Sequence, residues 1–334
     1  MVCVSRRSAL GALAASPVAA ALLPHLTPTA AQAQQTAQPS PNVQQAPGFY
    51  RVRVGDLIVT RINDGQFARP NPTEGFVRNA SPDDVAAALR DAFLPTEALT
   101  IPITFMAVQG GGRTVLIDTG TGGQLMPTAA FGARNMAAAG IDPARVTMVV
   151  ISHFHPDHIS GLAGADGKPL FPNAEILVPE AEWAFWMDDA AMSRAPEAMQ
   201  GTFKTARARF GAYPQERIRR YDANAEVAPG IQAIAAAGHT PGHTAFAVSS
   251  GGKQLMVLSD TSNHPALFVR NPGWHAVFDM DPALAEANRR KLFDRAAADR
   301  MPVVGYHFPF PGVGHISQRD RGFEFEPAPW SAEI

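Results

Sequence analysis

The sequence predicts a mixed α/β fold in which two β-sheets lie between helical layers. Three observations carry this. The strand-like runs fall into an N-terminal and a C-terminal group, each group is accompanied by helical segments, and no long linker divides them. Residues 48–334 therefore read as one domain, with no internal repeat.

The elements follow in order. Tyr50–Val54 and Leu57–Ile62 are apolar, β-branched runs joined at Gly55-Asp56, which predicts a hairpin. Ser81-Pro82-Asp83-Asp84 supplies a cap, a first-turn proline and early acids, and so starts a helix. Ile101–Val108 and Thr114–Ile117 flank Gly110-Gly111-Gly112 as a second hairpin. Val146–Ile151 reads as a buried strand and Ala174–Val178 as another, while Glu180–Met187 and roughly 195–210 read as helices. Ile231–Ala236, Thr244–Val248 and Gln254–Leu258 form the second group of strands. Ala283–Ala298 is an amphipathic helix, Val303–Gly305 a core strand and Gly322–Phe325 an edge strand.

Residues 1–33 are set apart. Arg6-Arg7 precedes an apolar stretch from Ala9 to Leu23, and Ala31-Gln32-Ala33 supplies a small-residue cleavage pattern, which predicts a twin-arginine export signal and a periplasmic or secreted protein. The stretch contains Pro17 and falls short of the ~20 apolar residues that span a bilayer, so no stable membrane anchor is expected. Residues 34–47, rich in Gln, Pro and Ala, read as a flexible leader.

Composition narrows the chemistry. The one cysteine, Cys3, lies in the signal, so disulfide scaffolds and cysteine-based metal sites are excluded. Against 28 basic residues stand 30 acidic ones, and loss of Arg6 and Arg7 moves the formal charge from -2 to -4. No nucleic-acid partner is expected from that balance. Any metal site must draw on nitrogen and oxygen ligands, and several of the 10 histidines cluster in two short stretches.

The first stretch is Ser152-His153-Phe154-His155-Pro156-Asp157-His158. Two residues apart on an extended backbone, His153 and His155 project to one side. Pro156 then turns the chain and brings Asp157 and His158 around a second point, so one loop can feed two metal ions. The second stretch, Gly238-His239-Thr240-Pro241-Gly242-His243, is a tight loop that offers a third histidine. Asp260 and His307 each lie just past a predicted strand end, where ligand-binding loops of such sheets sit. A lone histidine or aspartate is more often structural; the constellation is what points to a site.

These motifs resemble the metallo-β-lactamase superfamily, over nearly all of residues 48–334. The resemblance implies a four-layer αββα sandwich and a two-metal site. His153, His155 and His239 would hold one ion, Asp157, His158 and His307 the other, and Asp260 would bridge them. His239 rather than His243 matches the family ligand, which leaves His243 and the buried Asp118 of Leu116-Ile117-Asp118-Thr119-Gly120 as supporting residues. Within the superfamily the motifs are most similar to methyl parathion hydrolase and to the acyl-homoserine lactone lactonases. Those lactonases carry a tyrosine three positions after the bridging aspartate, where this chain has Asn263 followed by His264. A homodimer is the family expectation.

Two divalent ions ~3.5–4 Å apart share one hydroxide and bring a bound water's pKa toward ~7. The expected enzyme is thus a hydrolase that uses a bridging hydroxide on lactones, aryl esters or organophosphate triesters, with Asp157 and Asp260 as its catalytic carboxylates. Zinc suits the ligands best, and manganese, iron, cobalt or nickel suit them too. Phe105, Phe154, Trp183, Trp186 and Phe203 are candidate pocket walls for an apolar substrate, although aromatics at helical spacing are equally read as core. Asn263 and His264 are candidate hydrogen-bonding partners of substrate or leaving group. Phe308, Phe310 and Trp330 are assigned to the core.

Four competing readings stand beside this one. A β-lactamase proper is opposed by Asp260, because lactamases with this motif generally lack that carboxylate. A glyoxalase II-like thioesterase calls for a glutathione site. A mononuclear iron dioxygenase would use His153, His239 and Asp260 alone. A nuclease is opposed by the charge.

Overall fold

The computed structural model describes residues 45–334. The expected export signal, residues 1–33, and nearly all of the expected leader lie outside the described residues. Strands β1 (Phe49–Val54), β2 (Leu57–Pro70), β3 (Ala98–Gly110), β4 (Arg113–Ile117), β5 (Met148–Val150), β6 (Glu175–Pro179) and β7 (Ile218–Tyr221) form one seven-stranded sheet in chain order. A second sheet, also in chain order, contains β8 (Glu226–Ala228), β9 (Ile231–Ala235), β10 (Thr244–Ser250), β11 (Lys253–Ser259), β12 (Pro302–Gly305), β13 (Val313–Arg319) and β14 (Gly322–Pro327). The helices are α1 (Pro82–Asp91), α2 (Gly132–Ala138), α3 (Pro156–Ile159), α4 (Glu180–Trp186), α5 (Asp189–Arg194), α6 (Glu197–Phe210) and α7 (Pro282–Ala298).

Side-chain alternation builds the layers. In β3, Phe105 and Ala107 pack outward with Trp186 of α4 and Phe203 and Phe210 of α6, while Met106 and Val108 pack inward against the second sheet. Leu116 and Ile117 divide in the same way, as do Val149 and Val150. From the second sheet, Phe246, Val257 and Val304 face the first, and Ala245, Met256 and Val303 face Leu292, Phe293 and Ala296 of α7. The result is helix, sheet, sheet, helix. Strands buried on both faces explain why Val146–Ile151 reads as a continuous apolar run.

Parallel neighbours need crossover connections. β4, β5, β6 and β7 run parallel, and so do β11 and β12. α2 lies on the crossover from β4 to β5, α3 on the next, and α7 on that from β11 to β12. The loops leaving the C-terminal ends of β4, β5, β11 and β12 therefore open at one place between the sheets, and these carry Asp118, residues 153–158, Asp260 and His307 respectively.

Ser81 caps α1 by accepting the backbone N–H of Asp84 at 3.1 Å. That helix packs with Phe76, Phe268, Ala276 and Leu267 in a small cluster of its own, which supports the stretch 274–280. Short elements escaped the sequence reading, among them α2, β7, β8 and β13. Trp330 requires a correction: it is 75% exposed beyond the last strand. Phe310 is only partly buried, whereas Phe308 is buried. Among the described residues, no helix is long and apolar enough to cross a membrane.

Candidate metal centre

β5 ends at Val150, and after a bend at Ser152 the chain reaches His155, whose backbone is extended. His153 Nε2 and His155 Nδ1 lie 3.0 Å apart. Pro156 occupies the first position of α3, which puts Asp157 and His158 in its single turn, 3.6 Å apart at Oδ2 and Nε2.

His239 arrives from the connection between β9 and β10. Its Nε2 is 3.0 Å from His155 Nδ1. Gly238, at φ 126°, lets that loop pass against α7: a Cβ there would stand 2.2 Å from the backbone nitrogen of Ala285.

Asp260 follows Ser259, which adopts φ 47°, at the end of β11. Its Oδ2 lies 3.3 Å from His239 Nε2 and 3.2 Å from His307 Nε2, and its Oδ1 lies 3.3 Å from His158 Nε2. His307 Nε2 is 3.5 Å from Asp157 Oδ2. Donor atoms of His153, His155, His239 and Asp260 cluster within 4.8 Å, and those of Asp157, His158 and His307 form a second such cluster. Asp260 thus stands between the two groups.

The donor set fits two cations. His158 Nε2 and Asp260 Oδ1 are buried without a hydrogen-bond partner, a costly state unless an ion receives their lone pairs. Burial, reinforced by the neighbouring histidines, holds the pKa values of His153 and His155 well below the usual imidazole value, which favours the neutral form a metal requires. At His158, burial opposes the charged form, yet Asp260, Asp157 and Asp118 outweigh it and raise the pKa.

Several donors are anchored from behind. Asp118 Oδ2 accepts from His158 Nδ1 at 2.8 Å and from Ser152 Oγ at 2.7 Å, while its Oδ1 accepts the Ser152 backbone N–H. His307 Nδ1 donates to the Pro102 carbonyl at 2.6 Å. His243 donates from Nδ1 to the Ala236 carbonyl at 2.8 Å and accepts the backbone N–H of Asp260 at Nε2. Such outer contacts fix tautomer and ring orientation.

Three participants were missed in the sequence. Asp279 accepts from His239 Nδ1 at 3.0 Å and pairs with the buried Arg289 at 3.1 Å. Tyr306 stacks on His158 at 3.7 Å between centroids and donates to the Asp157 carbonyl at 2.6 Å. Glu182 is buried between both histidine loops. Only Tyr306 carried a local signal, its adjacency to His307.

The centre floors a cavity of about 760 Å³ whose walls include Phe67, Leu125, Trp186, Met199 and Phe278. Asn263 also lines it, with Nδ2 3.4 Å from Asp260 Oδ2. Of the five aromatics expected as walls, only Trp186 reaches the cavity. Phe105, Phe154 and Phe203 are core instead: Phe154 packs on Phe210 at 4.4 Å and Phe203 on Trp186 at 4.6 Å. Trp183 turns to Phe210 and to Arg220. His264 is corrected likewise. It caps the turn at 265–269 by accepting the Ala266 N–H and is buried there, and burial lowers its pKa to about 4.

Comparison with known proteins agrees with this geometry. The model of the metallo-beta-lactamase superfamily matches residues 101–307. The chain belongs to that superfamily. An N-acyl homoserine lactonase from Bacillus sp is 22% identical over 260 residues, covering 72% of this chain and 92% of the relative. Among solved structures, AidC, described as a dizinc quorum-quenching lactonase in complex with the product N-hexanoyl-L-homoserine, is 26% identical with a TM-score of 0.80, covering 85% of this chain and 98% of its own. The hydrolase AbOPH is 26% identical with a TM-score of 0.81, covering 86% and 100%.

Proposed function

We propose that this superfamily member is a dizinc lactonase that opens N-acyl homoserine lactones. The observation that carries the reading is the position of Asp260, whose carboxylate joins two clusters of donor atoms at the floor of an apolar-walled cavity. The similarity to AidC and to the Bacillus lactonase supports it.

His153, His155, His239 and Asp260 would hold one ion, and Asp157, His158 and His307, with Asp260 shared, the other. A pair of ions there supplies an acidified water and a Lewis acid. The chain's own residues do the rest. Trp186 and Met199 exclude water and hold the acyl portion of the substrate. Asp157, whose side chain is 21% exposed, offers Oδ2 to take a proton from the attacking water and return it to the ring oxygen as the C–O bond breaks. Asn263 offers an amide donor at the position of the lactonase tyrosine.

Aryl esters and phosphotriesters would fit the same cavity as secondary substrates. Arg6-Arg7 and Ala31-Gln32-Ala33 support export to the periplasm or beyond, which fractionation of the producing cells tests.

The deciding experiment is a panel on purified, metal-quantified protein: N-acyl homoserine lactones of several chain lengths, aryl esters, methyl parathion and nitrocefin. The highest kcat/KM is expected on the lactones, with two zinc ions per chain. Nitrocefin turnover equal to lactone turnover, or one iron per chain without hydrolysis, overturns the reading.

A further inference from the structure

α4 carries a carboxylate that is not among the metal donors. Glu182 is fully buried, and its oxygens receive three N–H groups from three parts of the chain. Oε2 accepts the backbone N–H of Phe154 at 2.9 Å and the indole N–H of Trp186 at 2.8 Å. Oε1 accepts the backbone N–H of Gly242 at 2.6 Å.

The identity of these partners matters. Phe154 lies between His153 and His155, Gly242 lies between His239 and His243, and Trp186 is a wall of the cavity. The two histidine loops leave different sheets, β5 in one and β9 in the other. One carboxylate therefore spans the two loops at the place where His153, His155 and His239 meet. The seat is tight: a Cβ on Gly242 would stand 2.6 Å from the backbone nitrogen of Glu182 and 3.0 Å from its Cγ.

We propose that Glu182 is a positioning residue. It sets the spacing of the His153–His155 loop and the His239 loop, and so the metal affinity of that donor group, and its bond to Trp186 ties the spacing to the cavity wall. The proposal rests on the metal-centre reading above. It follows from hydrogen-bond chemistry that the group must be a carboxylate. All three partners donate, and an amide has one accepting oxygen, so its NH₂ would face an N–H in either orientation.

The test uses the full chain, stripped of metal and titrated with zinc against a chromogenic chelator. Glu182→Gln is expected to weaken zinc binding about 10- to 100-fold. Zinc is also expected to change the Trp186 fluorescence of the unaltered chain, read as the difference from Trp186→Phe, and Glu182→Gln to reduce that change. Gly242→Ala perturbs the same seat from the other side without touching the carboxylate, and should weaken zinc binding as well. Val248→Ala, in the core between the sheets, controls for lost stability: it lowers Tm and leaves zinc affinity within about twofold. Zinc affinity within twofold of the unaltered chain in Glu182→Gln overturns the proposal; if that variant does not fold, the same result in Gly242→Ala overturns it. Because zinc is read without substrate, weakened binding in a protein that opens no lactone keeps the proposal and removes only the substrate reading. An unaltered chain that binds no zinc overturns both.

Discussion

His243 Nε2 accepts the backbone N–H of Asp260 at 2.9 Å. Its Nδ1–H is spent on the Ala236 carbonyl, so the ring is held in one neutral tautomer, and burial, with the nearby His239, lowers its pKa to about 3. The residue thus seats the aspartate that stands between the two donor clusters, and with both ring nitrogens engaged it has no lone pair to offer an ion. His243→Ala leaves a buried N–H without a partner, at about 1–3 kcal/mol. Metal analysis of purified variants should find His243→Ala retaining more metal than His239→Ala. The reverse order would exchange their roles.

Asp260→Ala removes the link between the clusters. Outer residues of metal sites cost about 10–100-fold when mutated, and a shared ligand should cost more. Expected are a metal content below two per chain and a kcat/KM reduced beyond 100-fold. Full activity with two metals per chain would contradict the bridging assignment.

How far the site was legible depends on whether a feature is local. His153, His155, Asp157 and His158 were readable because a period-2 backbone followed by a proline dictates two directions within six residues. The same rule, applied to Phe154, sends it away from the metals, and it does pack on Phe210; that signal was present and outweighed by proximity in sequence. Asp279 and Glu182 act across 40 and 60 residues, on His239 and Gly242, where no spacing pattern exists. The four layers were legible because each strand of the core alternates or runs apolar. Short elements such as α2 and β8 are held by tertiary packing rather than by their own pattern.

Trp330 and Phe308 make opposite predictions from similar expectations. Trp330 is exposed, so Trp330→Ala should change stability by no more than about 0.5 kcal/mol. Phe308 is buried against Phe325 with 4.8 Å between centroids, and Phe308→Ala should cost about 3–5 kcal/mol. Urea unfolding of both variants checks the ordering.

Trp186 belongs to the core and to the cavity at once, packed on Phe203 yet lining the space above the metals. Trp186→Ala would open a hole, so Trp186→Phe is the useful variant. It keeps an aromatic wall but shortens it and removes the indole donor. A rise in KM that grows with the acyl chain length of the lactone is expected, with two metals per chain retained. Unchanged KM across chain lengths would take Trp186 out of the substrate wall.

Metal removal should weaken the protein without unfolding it. Four donors, His158, His239, Asp260 and His307, are held from behind by Asp118, Asp279, His243 and the Pro102 carbonyl, none of which needs an ion to form its contact. The hydrophobic layers lie on both sides of the centre and are independent of it. Stability lost on chelation is then the linkage term alone, about 2.7 kcal/mol for a ligand present at 100 times its Kd. For a domain of about 290 residues that corresponds to roughly 4–5 °C in Tm for each ion bound. Calorimetry with a chelator, followed by zinc, should find one cooperative transition that falls and recovers by about that amount. A chelated protein with no transition would mean that the ions, rather than these outer contacts, hold the two sheets together.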